Sequence, residues 1–187
     1  MTVKFKTKEY WEARYLNGGN SGMGSYGHSA NLKASVINTI IDKHSISTIN
    51  DYGHGDGNNI TLLKGNFKYY GYDVSKSAYD ICTLKFKDNK AYTFFHTDKQ
   101  FKQSDLALSL DVLYHLVEQD VYEDYLKRLF SKSTYVLIYA QDLDDIGHNH
   151  CRSRKFTTYI KDTFPAFTLI DIIDGTHDKV KFYLYKK

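Results

Sequence analysis

The sequence predicts a single α/β domain: a doubly wound, mostly parallel sheet that ends in an antiparallel hairpin. Three observations predict it. Strand-like runs alternate with helix-periodic ones along most of the chain, a pattern that builds right-handed βαβ units and a parallel sheet covered on both faces. A glycine-rich turn, Gly53-His54-Gly55-Asp56-Gly57, follows the first strand-like run. The last two strand-like runs, Phe167 to Ile173 and Lys179 to Tyr185, are separated by a turn at Asp174-Gly175-Thr176 that is too short for a crossover helix, so they should pair antiparallel. At 187 residues one domain is expected, with residues 1–27 as an N-terminal lid segment and residues 28–187 as the core.

Taken in order, His28 to His44 spaces Leu32, Val36, Ile37, Ile40 and Ile41 as the apolar stripe of a helix. Ser47 to Tyr52 is a short strand running into the glycine turn. Phe67 to Asp73 is a second strand, followed by Ser75 as a candidate N-cap and a helix to about Phe86. Ala91 to His96 and Asp105 to Leu110 are the third and fourth strands. Glu118 to Phe130 is helical, with Val121, Tyr125, Leu126 and Leu129 on one face, and Tyr135 to Ala140 is an almost wholly apolar fifth strand. Five parallel strands and a terminal hairpin result.

Composition narrows the function. The chain is 42% hydrophobic, 25% charged and 16% aromatic, with 17 Tyr, 11 Phe and a single proline, Pro165, which fits a folded globular protein and excludes a proline-rich linker or ligand. The net charge of +3 comes from 25 basic and 22 acidic residues with no basic stripe, so nucleic acid is not the first expectation. Two cysteines, Cys82 and Cys151, make neither a disulfide framework nor a cysteine-rich zinc site, and a cytoplasmic location is expected. Met1 to Tyr10 has no apolar leader-like run, and the longest apolar stretch is far too short to span a membrane.

The strongest chemical signal is Asp51-Tyr52-Gly53-His54-Gly55-Asp56-Gly57. Glycines after a strand permit a tight turn and the close approach of a ligand to the backbone. The spacing is GxGxG, however, and Asn58 stands where a dinucleotide fingerprint has its last glycine, which weakens a nicotinamide reading. Asp51 precedes the turn, placed to meet a ligand's ammonium group or the loop itself. Downstream, Gly71-Tyr72-Asp73 closes the second strand with an acidic residue at the spacing of one that binds ribose hydroxyls.

These residues resemble the class I S-adenosylmethionine-dependent methyltransferases, and the resemblance covers nearly the whole chain. Asp51 to Gly57 resembles motif I, Gly71-Tyr72-Asp73-Val74-Ser75 resembles motif II, and Asp105 to Leu116 resembles motif IV with its following segment. WEARYLNGGNSGMGSYG and SLDVLYHLVEQDVY are similar to a branch of small bacterial and viral methyltransferases assigned to glycan or small-molecule modification. The resemblance implies a Rossmann-like, seven-stranded methyltransferase fold with S-adenosyl-L-methionine as cofactor. It also implies that Tyr15, Asp51, Gly53, His54, Gly55, Asp73, Val74, Asp98, Leu110, Asp111 and His115 surround that cofactor, with Asp73 on the ribose, Asp98 near the adenine and Asp111 facing the reacting methyl group.

Around this centre lie further candidates. Tyr10 to Tyr15 and the glycine-rich Gly18 to Gly27 read as an irregular, aromatic-rich cover over the cofactor, or as an arm whose Trp11 fills a groove. The polar segment Gln141 to Arg154 reads as substrate-binding or as a solvated loop. Within it His150 is the first candidate base for a hydroxyl acceptor; His115, alternatively a packed or helix-capping histidine, is the second, with Asp111 as the third catalytic candidate. Arg152, Arg154 and Tyr26 are candidate acceptor contacts. His148, His150 and Cys151 invite a zinc reading that lacks a second ligand cluster, and Asp111 with Asp142 or Asp144 invites a magnesium one; no metal is assigned.

The expected activity is O-methylation of a sugar, glycan or other small-molecule hydroxyl. An RNA or protein methyltransferase and a non-catalytic adenosylmethionine-binding subunit are the alternatives. The amino-methylating DNA enzymes resemble one another in an N/D/S-P-P-Y/F/W motif, whereas this chain reads Leu110-Asp111-Val112-Leu113; the cytosine-C5 enzymes use Pro-Cys, whereas Pro165 precedes Ala166. Both DNA chemistries are therefore excluded.

Overall fold

Five strands form the parallel part of the sheet: β1 (Thr48–Tyr52), β2 (Lys68–Asp73), β3 (Tyr92–His96), β4 (Ser104–Leu110) and β5 (Ser133–Gln141). Two more, β6 (Thr168–Asp174) and β7 (Val180–Lys186), form the antiparallel hairpin. The computed structural model describes residues 5–96, 101–145 and 150–187. Strand order is β3-β2-β1-β4-β5-β7-β6, with β7 antiparallel to both β5 and β6. The chain thus winds outward from β1 to β3, returns to β4 beside β1, and inserts its last strand between β5 and β6. The expected doubly wound sheet with an antiparallel C-terminal hairpin is the observed one.

The helices α2 (Gly27–His44) and α3 (Lys76–Lys85) and the helices α4 (Gln119–Leu129) and α5 (Phe156–Thr163) complete the two flanking layers. On one side, Val36, Ile37, Ile40 and Ile41 of α2 bury their stripe against Ile49, Leu106, Leu108 and Leu137 of the sheet. On the other, Tyr122, Leu126 and Leu129 of α4 and Phe156 and Ile160 of α5 pack on Ala107, Val136, Ile138 and Tyr183. Each fully buried Ile or Leu contributes roughly 1.5–3 kcal/mol to holding these layers together. Ser75 caps α3 as expected, its hydroxyl accepting the Ala78 N–H at 3.1 Å. On α4 the buried face differs from the expected one: Tyr122 is buried and Val121 exposed, because the 122, 126, 129 row is the one that meets the sheet.

Two helices depart from the sequence reading. Tyr10 to Tyr15 is not irregular but lies in a regular helix, α1 (Thr7–Leu16). It is held from far away, at its start by Glu118 accepting the Thr7 N–H and hydroxyl at 2.9 and 2.5 Å and at its middle by Glu12 binding the start of α3. Helix α5 was not expected at all; its N-terminus is capped by Asp142, which accepts the Thr157 N–H at 3.0 Å and hydroxyl at 2.6 Å from fifteen residues upstream. Among the described residues, no helix is long and apolar enough to cross a membrane.

Candidate functional site

Strand order reverses between β1 and β4, and open α/β sheets bind ligands beyond the carboxyl ends of the strands at such a point. Here the turn after β1, Asp73-Val74 after β2, and Leu110-Asp111-Val112 after β4 converge on a cavity of about 320 Å³, roofed by Thr7, Tyr10, Trp11, Arg14 and Tyr15 of α1. That volume falls at the lower end of small-ligand sites.

The glycine turn is fixed by crowding. Gly53 and Gly55 adopt left-handed φ angles of 88° and 57°. A Cβ at Gly53 would meet Val112 Cγ2 at 2.7 Å, and one at Gly55 would collide with Ser21 and the Tyr15 hydroxyl. The turn also spends its own donors. Gly53 N–H donates to Tyr72 O (2.7 Å), Gly55 N–H to Asp73 Oδ2 (3.0 Å), Asp56 N–H to Ser21 Oγ (2.9 Å) and Gly57 N–H to His54 O (3.1 Å). A diphosphate-binding turn instead aims such N–H groups at its ligand. With Asp51, Asp73 and Asp111 in the same wall, this turn suits a ligand that carries positive charge and hydroxyl donors.

Asp73 accepts from Gly55 N–H and, through Oδ1, from Ser75 N–H at 2.8 Å. Each oxygen keeps a lone pair for a ligand hydroxyl. Asp51 is buried, and its Oδ2 accepts the Tyr69 hydroxyl at 2.6 Å; burial pushes its carboxyl up to about 7, against the lowering effect of that bond. His54 packs differently from a ligand contact. Its ring is buried edge-on to Phe94, with Nδ1 2.8 Å from Gly55 O and 3.3 Å from Cys82 Sγ, and burial lowers its basicity.

Asp111 is the one charged residue at the site with a left-handed backbone (φ 59°). Its carboxylate is gripped by Lys33 of α2, whose side chain is wholly buried, and by the Tyr114 hydroxyl at 2.9 Å. Lys33 Nζ also donates to Gly24 O at 2.7 Å and lies 4.7 Å from the centre of the Tyr139 ring. Sequence reasoning missed Lys33. The available signal was a lysine placed on the same helical stripe as Ile37, Ile40 and Ile41.

The N-terminal segment is bonded directly over the glycine turn. Ser21 N–H donates to Asp56 Oδ2 at 2.8 Å, the Tyr26 hydroxyl to the same oxygen at 2.7 Å, and Asn58 Nδ2 to Ser25 O at 2.6 Å. Glu12 accepts from Ser75 Oγ (2.7 Å), Ser77 Oγ (2.8 Å) and Ser77 N–H (3.2 Å). Burial pushes the Glu12 carboxyl up, but these bonds together outweigh it and hold the group at about 2.

On the far wall, His115 and His150 stack with ring centres 5.6 Å apart, Tyr10 stacks on His150 at 4.8 Å, and Trp11 meets His115 edge-on at 4.9 Å. His115 Nδ1 donates to His150 O at 3.1 Å, and burial lowers its pKa to about 4, leaving the imidazole neutral at pH 7. The site thus brings together Tyr15, Asp51, Gly53, His54, Gly55, Asp73, Val74, Leu110, Asp111, His115 and His150. It does not bring in Tyr26, Arg152 or Arg154. Tyr26 is turned to Asp56, and the exposed Arg152 donates its backbone N–H to Tyr114 O. Arg154 is committed to Leu116 O, Val117 O and Gln119 Oε1 at 2.8–3.1 Å and lies 4.3 Å from the centre of the Tyr122 ring. Asp142 and Asp144 bind the start of α5, accepting from Thr157 and Lys155, so the magnesium set with Asp111 does not assemble. Asp98 and His148 lie outside the described residues.

No family model and no curated protein matches the chain in sequence. Solved structures match in fold. N-methyltransferase NodS from Bradyrhizobium japonicum WM9, in complex with S-adenosyl-L-homocysteine, aligns with TM-score 0.76 at 13% identity over 97% of this chain and 98% of its own. Magnesium protoporphyrin IX methyltransferase from Synechocystis PCC 6803, with bound S-adenosylmethionine, aligns with TM-score 0.74 at 14% identity over 100% of both chains. The 1,6-didemethyltoxoflavin-N1-methyltransferase of Burkholderia thailandensis, with its acceptor and S-adenosylhomocysteine bound, gives TM-score 0.73 at 16% identity over 100% of this chain and 93% of its own. The chain has the class I methyltransferase fold.

Proposed function

We propose that the protein is an S-adenosyl-L-methionine-dependent methyltransferase that methylates a hydroxyl of a sugar, glycan or other small molecule. One observation carries the cofactor assignment: the glycine turn has turned its N–H groups inward beside the carboxylates of Asp51 and Asp73, in a cavity at the strand-order reversal. The residues present fit the cofactor. Asp73 offers free lone pairs for ribose hydroxyls, and Asp51 a carboxylate for the ammonium group. The acidic wall suits a sulfonium.

When bound, that cofactor supplies an electrophilic methyl group for in-line displacement by an aligned nucleophile. The chain's contribution is alignment, exclusion of water and disposal of a proton. Helix α1 covers the cavity, with Trp11 and Tyr10 against the two histidines. Lys33 and Tyr114 fix the Asp111 carboxylate in the wall. His150 is the base assigned to an acceptor hydroxyl; His115, lowered to about 4, is too weak a base at neutral pH and serves to orient its neighbour. A small-molecule acceptor is supported by the toxoflavin-type neighbour with its small acceptor in place.

Calorimetry with S-adenosylmethionine, followed by transfer of a radiolabelled methyl group to hydroxylated small molecules, RNA and protein fractions, tests the assignment. Cofactor binding with label in the small-molecule fraction is expected. Absence of binding by the intact protein overturns the whole reading; label in RNA or protein overturns the acceptor class, and binding with no transfer to any fraction overturns catalysis.

A further inference from the structure

We propose that His115, His150 and Cys151 form a binding site for one borderline-soft divalent cation, zinc by its ligand chemistry, in the far wall of the cavity. The three come from two separate segments, the turn Leu113–His115 after β4 and the end of the loop after β5. Each offers one ligand atom, and these atoms all lie within 4.8 Å of one another. Cys151 Sγ stands 3.6 Å from His115 Nδ1. That separation matches the edge between a sulfur and a nitrogen ligand on tetrahedral zinc, about 3.6 Å for a Zn–S bond of about 2.3 Å and a Zn–N bond of about 2.0–2.1 Å.

The surroundings hold the rings in place. Tyr10 stacks on His150, while Trp11 and Tyr114 pack on His115 with ring centres at 4.9 and 4.4 Å. An apolar shell of this kind fixes ligand orientation and restricts solvent access. The donor set contains no carboxylate: Asp111 is held by Lys33 and Tyr114, and Asp142 and Asp144 by α5. Two imidazoles and a thiolate select zinc over magnesium. Binding replaces the bond from His115 Nδ1 to His150 O and releases the Cys151 thiol proton to solvent, so that sulfur coordinates as thiolate. Three protein ligands leave a fourth position, and two of those ligands, His115 and His150, line the cavity. A His150 that ligates the ion is no longer a free base, so the base role assigned to it belongs to the metal-free protein; use of the fourth position by an acceptor hydroxyl rests on the methyl-transfer reading, and the ion site does not.

The test is titration of the metal-free protein with cobalt(II) as a spectroscopic stand-in for zinc, and with zinc against a coloured chelator. One equivalent is expected, with visible bands of a tetrahedral ion and a near-ultraviolet sulfur-to-cobalt charge-transfer band. Cys151→Ser should abolish that band and His115→Ala and His150→Ala, each removing a direct ligand, should weaken zinc binding by more than the roughly 100-fold that loss of a mere supporting partner costs, whereas Cys82→Ser keeps both. In the unmutated protein, zinc should protect Cys151 from iodoacetamide and a chelator should restore its alkylation, a readout independent of whether any variant folds. An octahedral spectrum without charge transfer, a band that survives Cys151→Ser, or alkylation unchanged by zinc overturns the site. S-adenosylhomocysteine calorimetry on the metal-free protein separates the two proposals, because either can fail while the other stands.

Discussion

Asp111 holds a left-handed backbone conformation that non-glycine residues rarely adopt, and its carboxylate is tied to a lysine from another layer of the fold. Removing one partner of a buried pair leaves the other charge unpaired, at a cost of several kcal/mol. Lys33→Met should therefore destabilise the protein by about 3 kcal/mol in denaturant unfolding, and adding Asp111→Asn should recover part of that loss. Strict additivity of the two changes would contradict the coupling. Asp51 makes a second prediction. With its pKa raised to about 7, the folded protein binds a proton that the unfolded chain releases in the ordinary carboxylate range. Its stabilising contribution is complete below that range and is lost as pH rises to about 7, whereas Asp51→Asn lacks this slope. Ionised Asp51 is the form that meets an ammonium group, so cofactor affinity should rise about fivefold between about pH 6 and about pH 7, below the range in which an α-ammonium loses its own proton, and stay nearly flat there in Asp51→Asn.

Helix α1 is maintained by contacts that no local pattern announces. Thr7 finds Glu118, and Glu12 finds Ser75 and Ser77, across more than sixty residues of chain. That is why Tyr10 to Tyr15 read as irregular from sequence although it is helical, while α2, with a continuous apolar stripe, was legible. Helix α5 escaped for the same reason: it is short, and its cap, Asp142, sits in the preceding loop. The docking of α1 can be followed through Trp11, the one tryptophan in the sequence. Glu12→Ala should shift Trp11 emission to the red and weaken cofactor binding about tenfold, the equivalent of one charge-assisted hydrogen bond. Because hydrogen bonding holds Glu12 at about 2, its docking contribution is present above the ordinary carboxylate range and is lost as pH falls toward about 2. In the unmutated protein the acid shift of Trp11 emission should follow that fall, and it should be absent in Glu12→Ala.

At the scale of the whole molecule, sheet topology turns scattered motifs into one site. The winding of β1, β2 and β4 places the glycine turn, Asp73 and Asp111 at adjacent carboxyl ends, and the register Asp51↔Gly71 and Asp51↔Leu108 fixes them there. This much was legible, because strand period, turn glycines and the short final connection are local signals. The acceptor side was less so. Arg154 and Tyr26 look like ligand contacts in a linear reading, yet in three dimensions each satisfies a backbone or carboxylate of its own fold. Lys33 looks like a surface residue and is buried. His115 and Cys151 stand far apart in sequence and meet only because the turn after β4 faces the end of the loop after β5.

The central claim is that this cavity binds S-adenosylmethionine through Asp73. Calorimetry with S-adenosylhomocysteine, run on the unmutated protein and on Asp73→Ala, tests it most directly. Single-site binding is expected, weakened about 10- to 150-fold in the variant by loss of a hydrogen-bonded charged acceptor worth about 1.5–3 kcal/mol. No binding by the unmutated protein, or equal affinity in a folded Asp73→Ala, would contradict it.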